Sequence, residues 1–413
     1  MAKDEFEFHR SPAWLDYTQQ RYLSLDEIKY RMQQQGTLPF NWNDLSKKIV
    51  INRKVSSIPL LMSCIGKNFW FFPSDSLTRK IDQIERLGVD LYNRINHQEL
   101  FKQDFLLDST IEEAITSAIY EGAHSTRAQA QQLIASGNKP KNKDEWMLTN
   151  NFRAMSWVQK HRNEPISQEL ILQLHRIVTE NTLEGDDANF SGRFRNDKVF
   201  VGPHEGIHST LIEQAIAEVT ELTTKNPRYI HPLIRGILFH YFIAYIHPFF
   251  DGNGRTARVL FYFKAMQENL TYIQLLSVSA YLKEHGSQYE KAFEKVVSND
   301  LDATYFIDFC LDSIHFVLTA VSGKVTFLLR VNDLREKMRL SDNQIGLLQR
   351  MVLHKFRTVS IEQYAEQIDM SREIARQELK SLVALGLLQE AKQGKKLVYR
   401  INKAKVESLI GKA

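Results

Sequence analysis

The stretch Leu233–Phe250 is the richest apolar segment of the chain, interrupted by Arg235, His240 and His247. A membrane span needs about 20 consecutive apolar residues. No run here approaches that, so the stretch reads as a helix, Pro232–Ile246, of a soluble bundle. Apolar spacing predicts further helices near Asn150–His161, Gln168–Asn181, Leu211–Lys225, Asn253–Glu268 and Ala280–Val297. With 10 Pro and 18 Gly in 413 residues, punctuation is sparse and the chain reads as mainly α. Hydrophobic residues make up 43% and charged residues 25%, as in ordinary globular proteins.

Three regions emerge: an N-terminal helical region, 1–105; a core, 106–320; and a C-terminal module, 335–413. Ser24-Leu-Asp-Glu27 is a capping box opening a helix into Met32, and Leu77–Leu100 has helical spacing. Asn68–Pro73 is an aromatic cluster expected to pack in a core. Thr110-Ile-Glu-Glu113 has the form of a second capping box, opening a helix that Gly122 closes. Within Phe194–Pro203, the Asn196-Asp197 turn signal beside Val199-Phe-Val201 predicts a short β-hairpin. The charged N-terminus, MAKDEFEFHRSP, lacks the apolar core of a secretory signal. Cys64 and Cys310 lie far apart in the sequence and read as buried thiols in a reducing compartment. A cytoplasmic protein with no membrane contact is the expectation. The spacing of His231, His240 and His285 forms no zinc ligand set, so these histidines are expected to pack or to lie on the surface.

The segment His247–Arg258, HPFFDGNGRTAR, carries the chemistry. Gly252-Asn-Gly254 falls between two helices, where backbone N–H groups and a helix N-terminus make an anion nest. Arg255 and Arg258 share one side of the following helix, and two guanidinium forks beside a nest suit an oligophosphate. Asp251 places a carboxylate where Mg²⁺ would bridge phosphates. His247, at the end of the preceding helix, is close enough to act as a general base. Phe249 and Phe250 read as wedges anchoring the turn.

HPFFDGNGRTAR resembles the Fic signature, H-x-F-x-(D/E)-G-N-G-R-x-x-R, at every defined position, and the resemblance extends over roughly residues 110–310. It implies a Fic-type helical bundle whose hairpin is a flap, and transfer of AMP from ATP to a Ser, Thr or Tyr hydroxyl of a target protein. By the same resemblance His247 takes the hydroxyl proton and Asp251 holds Mg²⁺ between the α- and β-phosphates. Gly252, Asn253 and Gly254 hold those phosphates. Arg255 braces the β-phosphate and Arg258 the γ-phosphate, with Thr256 and Ala257 between them in the contact stretch. Tyr289 stands where relatives carry the first of two tyrosines beside the adenine; Glu290, in the second place, departs from that pattern.

Ser117-Ala-Ile-Tyr-Glu121-Gly122 resembles the family's inhibitory helix, (S/T)-x-x-x-E-(G/N). The resemblance implies that Glu121 pairs with Arg258 and takes it from the γ-phosphate. Arg195–Pro203 resembles the flap that registers a target segment by strand pairing, approached through Ser191-Gly192-Arg193-Phe194-Arg195.

The tail differs. Expected helices at Ile345–His354, Ile361–Ile368 and Ser371–Leu385 precede strands Leu387–Ala391 and Leu397–Ile401. That is the order of a winged helix-turn-helix domain. Residues 341–413 hold 13 Lys/Arg against 8 Asp/Glu, an excess of five in a chain whose net charge is only +4. Arg372, Arg376 and Lys380 recur every four residues as one basic stripe, with Ile374, Leu379, Leu382 and Leu385 expected to face inward. Lys392, Lys395 and Lys396 occupy the wing tip. Glu373 and Glu378 interrupt the stripe. DNA, another protein and a second copy of the chain all remain open as occupants. The alternative to an AMP transferase is a nucleotide-sensing, DNA-binding regulator.

Overall fold

The computed structural model describes residues 11–410 apart from 39–40, 98–101, 203, 354–357 and 395. The N-terminal ten residues, Leu100, Pro203, His354 and Lys395 therefore lie outside the described residues. Packing divides the chain into two compact units: residues 1–86 with 111–317, and residues 87–110 with 318–413.

The first helices are α1 (Leu25–Gln34), α2 (Trp42–Val55), α3 (Asp75–Asn96) and α4 (Lys102–Tyr120). The Ser24–Glu27 capping box opens α1 as expected. Between α2 and α3, strands β1 (Ile58–Met62) and β2 (Lys67–Phe71) pair antiparallel, Ile58 opposite Phe71 and Met62 opposite Lys67. The aromatic cluster thus lies largely on a strand, with Phe69, Trp70 and Phe71 buried. Thr110 does not cap a helix. It lies inside α4, where its hydroxyl donates to the Leu106 carbonyl at 2.9 Å, the i−4 bond that Thr makes within helices. Glu113, with no cap to complete, turns elsewhere.

The bundle follows: α5 (Arg127–Ser136), α6 (Lys143–His161), α7 (Gln168–Thr179), α8 (Ile212–Lys225), α9 (Pro232–Ile246), α10 (Asn253–Gln267), α11 (Val278–Ser298) and α12 (Thr304–Asn332). α9 begins with Pro232 at its first position and a His231 cap. Apolar all round, it is buried on all sides, and it packs on α8 and α10; α10 also packs on α6 and α7. This sandwiching holds the α9–α10 connection rigid.

The hairpin between α7 and α8 is present, but its turn is not at Asn196-Asp197. Strands β3 (Phe200–Val201) and β4 (His204–Glu205) pair antiparallel, and Gly202, with φ 54°, follows β3 in a turn. The Arg195 guanidinium donates to the Asp197 carbonyl at 2.6 Å and ties the residues of the expected turn back to the bundle.

Two further expectations are corrected. Thr304–Met338 is apolar and long enough to cross a membrane by length and composition, contrary to the absence expected from sequence. In the bundle it behaves as a core helix, with Phe306, Ile307, Leu311 and Ile314 buried and Asp308 and Asp312 both paired to Lys80. Cys64 is only partly buried, with Cys310 the buried one, and both thiols are free.

In the second unit, α13 (Asp342–Leu353), α14 (Ile361–Gln367) and α15 (Arg372–Ala384) precede the antiparallel pair β5 (Leu388–Gln393) and β6 (Lys396–Ile401), then α16 (Lys403–Ile410). Leu347, Leu348, Tyr364, Leu379, Leu382, Tyr399 and Val406 share one core. Ile374 is not in it: at 43% exposed it faces out, and Ala375 takes the inward place.

Candidate active site at the α9–α10 connection

α9 ends because His247 adopts a left-handed conformation, φ 52°, ψ 61°. The loop to α10 is clamped from three directions. The Asn253 side chain accepts from the Phe249 N–H at 2.9 Å and donates to the Phe249 carbonyl at 2.7 Å, closing the turn on itself. Phe249 is fully buried and stacks on the His175 ring, centroids 3.6 Å apart and nearly parallel. Nδ1 of His175 accepts from the Gly192 N–H at 3.0 Å, which leaves Nε2–H to donate to the Asp251 carbonyl at 2.9 Å. Burial, opposed by the Asp251 bond, lowers the His175 pKa to about 4 and keeps the ring neutral. Gly252 has φ 80°, and a Cβ there would lie 2.6 Å from Thr179 Cγ2, so both conformation and proximity require glycine.

His247 is oriented by its neighbours. Its Nδ1 lies 3.2 Å from the Ala244 carbonyl, which fixes the tautomer with Nδ1–H donating and Nε2 free to accept. The buried Arg195 donates to the His247 carbonyl at 2.7 Å and to the Ile207 carbonyl, bridging the flap root and the imidazole. Burial lowers the His247 pKa to about 4; the charges of His204 and Arg195 lower it further, and those of the Ala244 carbonyl and Glu121 oppose them. The ring is an unprotonated base at neutral pH.

The first hydrogen bond of α10 runs from Thr256 N–H to Gly252 O, so the N–H groups before it face out of the helix end. The nest is therefore built of backbone. The Asn253 side chain, expected on the phosphates, is spent on Phe249. Thr256 and Ala257 are completely buried. Arg255 is 1% exposed and reaches beneath the loop, donating to Val178 O at 3.2 Å and lying 3.5 Å from Asp251 Oδ1. Asp251 itself is exposed, its carboxylate accepting from the Gly252 N–H.

Arg258 is 4% exposed and is held through Nε and Nη2 by the segment that closes α4. Its Nε donates to Ser117 Oγ at 2.9 Å, and its Nη2 to Ser117 O at 3.2 Å and to Glu121 Oε1 at 2.8 Å. Burial, the largest single influence, works against the guanidinium charge, but Glu121, Tyr289 and Glu113 together leave the Arg258 pKa raised. A Cβ on Gly254 would fall on Glu121 Oε1, so the carboxylate lies across the nest as well as on the arginine. Gly122 follows with φ 94°.

Glu113 and Thr116 hold this segment in place, and the sequence carries no signal for either. Glu113 Oε2 accepts from Ser277 Oγ at 3.1 Å and Ser279 N at 3.0 Å, capping α11, while the Thr116 and Ser277 hydroxyls lie 3.0 Å apart. His175 escaped sequence reading in the same way, since its partners are 17 and 76 residues distant. Tyr289 is buried, its hydroxyl 2.7 Å from His240 Nε2 and its ring edge-on to Tyr120. Glu290 is exposed, and its charge reaches the Tyr120 phenol rather than the nest. His231 caps α9, and His285 stacks on Tyr281.

Residues 165–264 match the Fic/DOC family. The protein adenylyltransferase Fic of Nematostella vectensis is 36% identical over 100 residues, 24% of this chain and 22% of that protein. The protein adenylyltransferase fic-1 of Caenorhabditis elegans is 34% identical over 110 residues, 26% of this chain and 21% of its own length. This chain thus spans about a fifth of the length of these relatives. Among solved structures, a Fic family protein from Desulfovibrio desulfuricans superimposes with a TM-score of 0.54 at 16% identity, over 80% of this chain and 97% of that one. A fragment of Fic-1 from Caenorhabditis elegans gives 0.50 at 18%, over 76% and 92%.

Proposed function

With residues 165–264 forming a Fic domain, we propose that the chain transfers AMP from ATP to a hydroxyl of another protein and is held inactive by Glu121. The observation that carries this reading is a neutral imidazole closing α9, one short loop before a glycine nest whose outermost arginine is occupied by a carboxylate of the same chain. His247 Nε2 takes the proton of the target hydroxyl as its oxygen attacks the α-phosphorus. The bond to the β-phosphate oxygen breaks and pyrophosphate leaves. The backbone N–H groups at the head of α10 hold the phosphates in line, so positioning and charge stabilisation supply most of the acceleration. Arg258 meets the γ-phosphate only after Glu121 withdraws. ATP arriving earlier binds with its terminal phosphate displaced, and its α-phosphorus is turned from the base.

The donor set suits Mg²⁺ when nucleotide is bound. That ion takes one or two carboxylates and completes its octahedron with phosphate oxygens and water. Asp251, an exposed carboxylate beside the nest that is not bound to Arg258, would hold it. Mg²⁺ would supply charge neutralisation on the phosphates.

Incubation with ATP and Mg²⁺ followed by intact-mass spectrometry tests the reading. Glu121→Gly is expected to raise incorporation of AMP into the protein about 10- to 100-fold, the worth of a charge-assisted hydrogen bond. Adding His247→Ala should abolish it. Incorporation unchanged by Glu121→Gly removes the brake; incorporation surviving His247→Ala removes the base.

A further inference from the structure

The tail has a feature unconnected with phosphate transfer. α14 and α15 pack against each other, and the β5–β6 hairpin packs on α15. Val359 pairs with Tyr399 through two hydrogen bonds of 2.8 Å, adding a third short strand. Ala375, Leu379 and Leu382 face the core, which turns Arg372, Arg376 and Lys380 outward along one face, all exposed. Lys392 and Lys396 of the hairpin are exposed too.

One of the two acids expected to interrupt this stripe is withdrawn from it. The Glu378 carboxylate accepts from Tyr364 Oη at 2.6 Å and Ser341 Oγ at 2.7 Å. Glu373 remains, 3.4 Å from Arg376 in an exposed pair, and such pairs are worth little. Glu390, on β5, is a further exposed acid, and Glu362, on α14, is another. Hydrogen bonds at the head of α14 lower its pKa, and Arg372 and Lys396 both add to the effect, so helix and hairpin cations converge on one surface.

We propose that this surface, α15 with the β5–β6 hairpin, binds duplex nucleic acid through its phosphates. A 13-residue helix is about 20 Å long and, at 10–12 Å across, fits the major groove of about 12 Å. The hairpin lysines would lie along the adjacent backbone. A protein partner fits less well. Protein interfaces bury an apolar centre and are depleted in lysine, whereas this surface carries Lys380, Lys392 and Lys396, and its exposed apolar residues share no face: Ile374 stands opposite the Arg372–Arg376–Lys380 stripe on α15, and Leu397 alternates with Lys396 on β6. The charge excess of residues 341–413 supplies the matching sign.

The test is fluorescence anisotropy of the full chain with a labelled mixed-sequence duplex of about 25 base pairs, titrated at several salt concentrations. Contacts from about five cations, at about 0.9 each, give a log–log salt slope near −4.5, so affinity should fall about five-hundredfold between roughly 50 and 200 mM salt. Arg372→Ala/Lys380→Ala/Lys396→Ala should flatten the slope by nearly 3, at about 0.9 per phosphate contact. Lys160→Ala/Arg162→Ala, exposed cations of the first unit, should leave it unchanged. Unaltered thermal melting establishes that each variant is folded. The proposal is overturned by no anisotropy change at the lowest salt, by an unchanged slope in the triple variant, or by an equal loss in the control. Self-association lost in Ile374→Ser, without duplex binding, also overturns it and assigns the face to a second copy of the chain.

Discussion

His247 is poised because nothing near it favours its charged form strongly enough to offset burial. Its pKa of about 4 lies below the ordinary 6.5, so the unprotonated base persists from neutrality down to about pH 5. In the Glu121→Gly protein, kcat/KM for AMP transfer should therefore be flat from about pH 5 to 8 and fall in acid, as protonation removes the base. The Glu121 carboxylate raises the His247 pKa, so the variant's acid limb should lie at lower pH, never higher. A fall centred near pH 6.5 would remove the link between burial and the base. His175 is the second residue with a measurable role. His175→Ala leaves the Gly192 N–H and the Asp251 carbonyl without their partner and Phe249 without its stack. A loss of about 3 kcal/mol in denaturant unfolding is expected.

At the scale of elements, the end of α4 that carries Ser117 is anchored through Glu113 and Thr116 to the residues that open α11. Glu113→Gln keeps the shape but cannot accept at both oxygens. It should loosen the anchor and raise AMP incorporation severalfold, short of the Glu121→Gly level; an unchanged brake would show that α4 is held elsewhere. The placement of helices was largely legible from sequence, α9 residue for residue, because the apolar period, Pro232 and the glycines after His247 all agree. The pairing of Glu121 with Arg258 was legible only through the resemblance to the family's inhibitory helix, since the two residues lie on different helices far apart in the chain. What failed was local chemistry overridden by tertiary packing. Thr110 has the form of a cap but lies within a longer helix. Asn196-Asp197 has the form of a turn, but Arg195 holds the Asp197 carbonyl and the chain turns six residues on. Ile374 has the spacing of a core residue, yet Ala375 fills the inward position. Asn253 belongs to the phosphate-binding motif, but its amide serves the loop. No pattern in the chain announces that His175 or Glu113 would be needed, since their partners meet them only after folding.

At the scale of the whole molecule, three histidines, His175 and His240 buried and His247 half-buried, make the first unit sensitive to acid. The pKa values of His175 and His247 are lowered to about 4 and that of His240 to about 3, each chiefly by burial, from an unfolded value near 6.5. In the window between, the unfolded chain binds more protons than the folded one, so stability falls as pH drops below 6.5 and goes on falling toward pH 4. Asp302, raised to about 6 by burial, works in the opposite sense and recovers part of the loss. The net cost at pH 5 relative to pH 7 is on the order of 4 kcal/mol, read as a lowered Tm that His240→Phe should partly restore. The seat of Glu121 has a consequence of another kind. A carboxylate delivered by its own chain is a tethered competitor for anions, and its local concentration is fixed by geometry rather than by dose. Dilution cannot lift such inhibition, and surplus nucleotide contends with a rival that never diffuses away. Under the proposed autoinhibition, what governs AMP transfer is the mechanical freedom of a single helical turn.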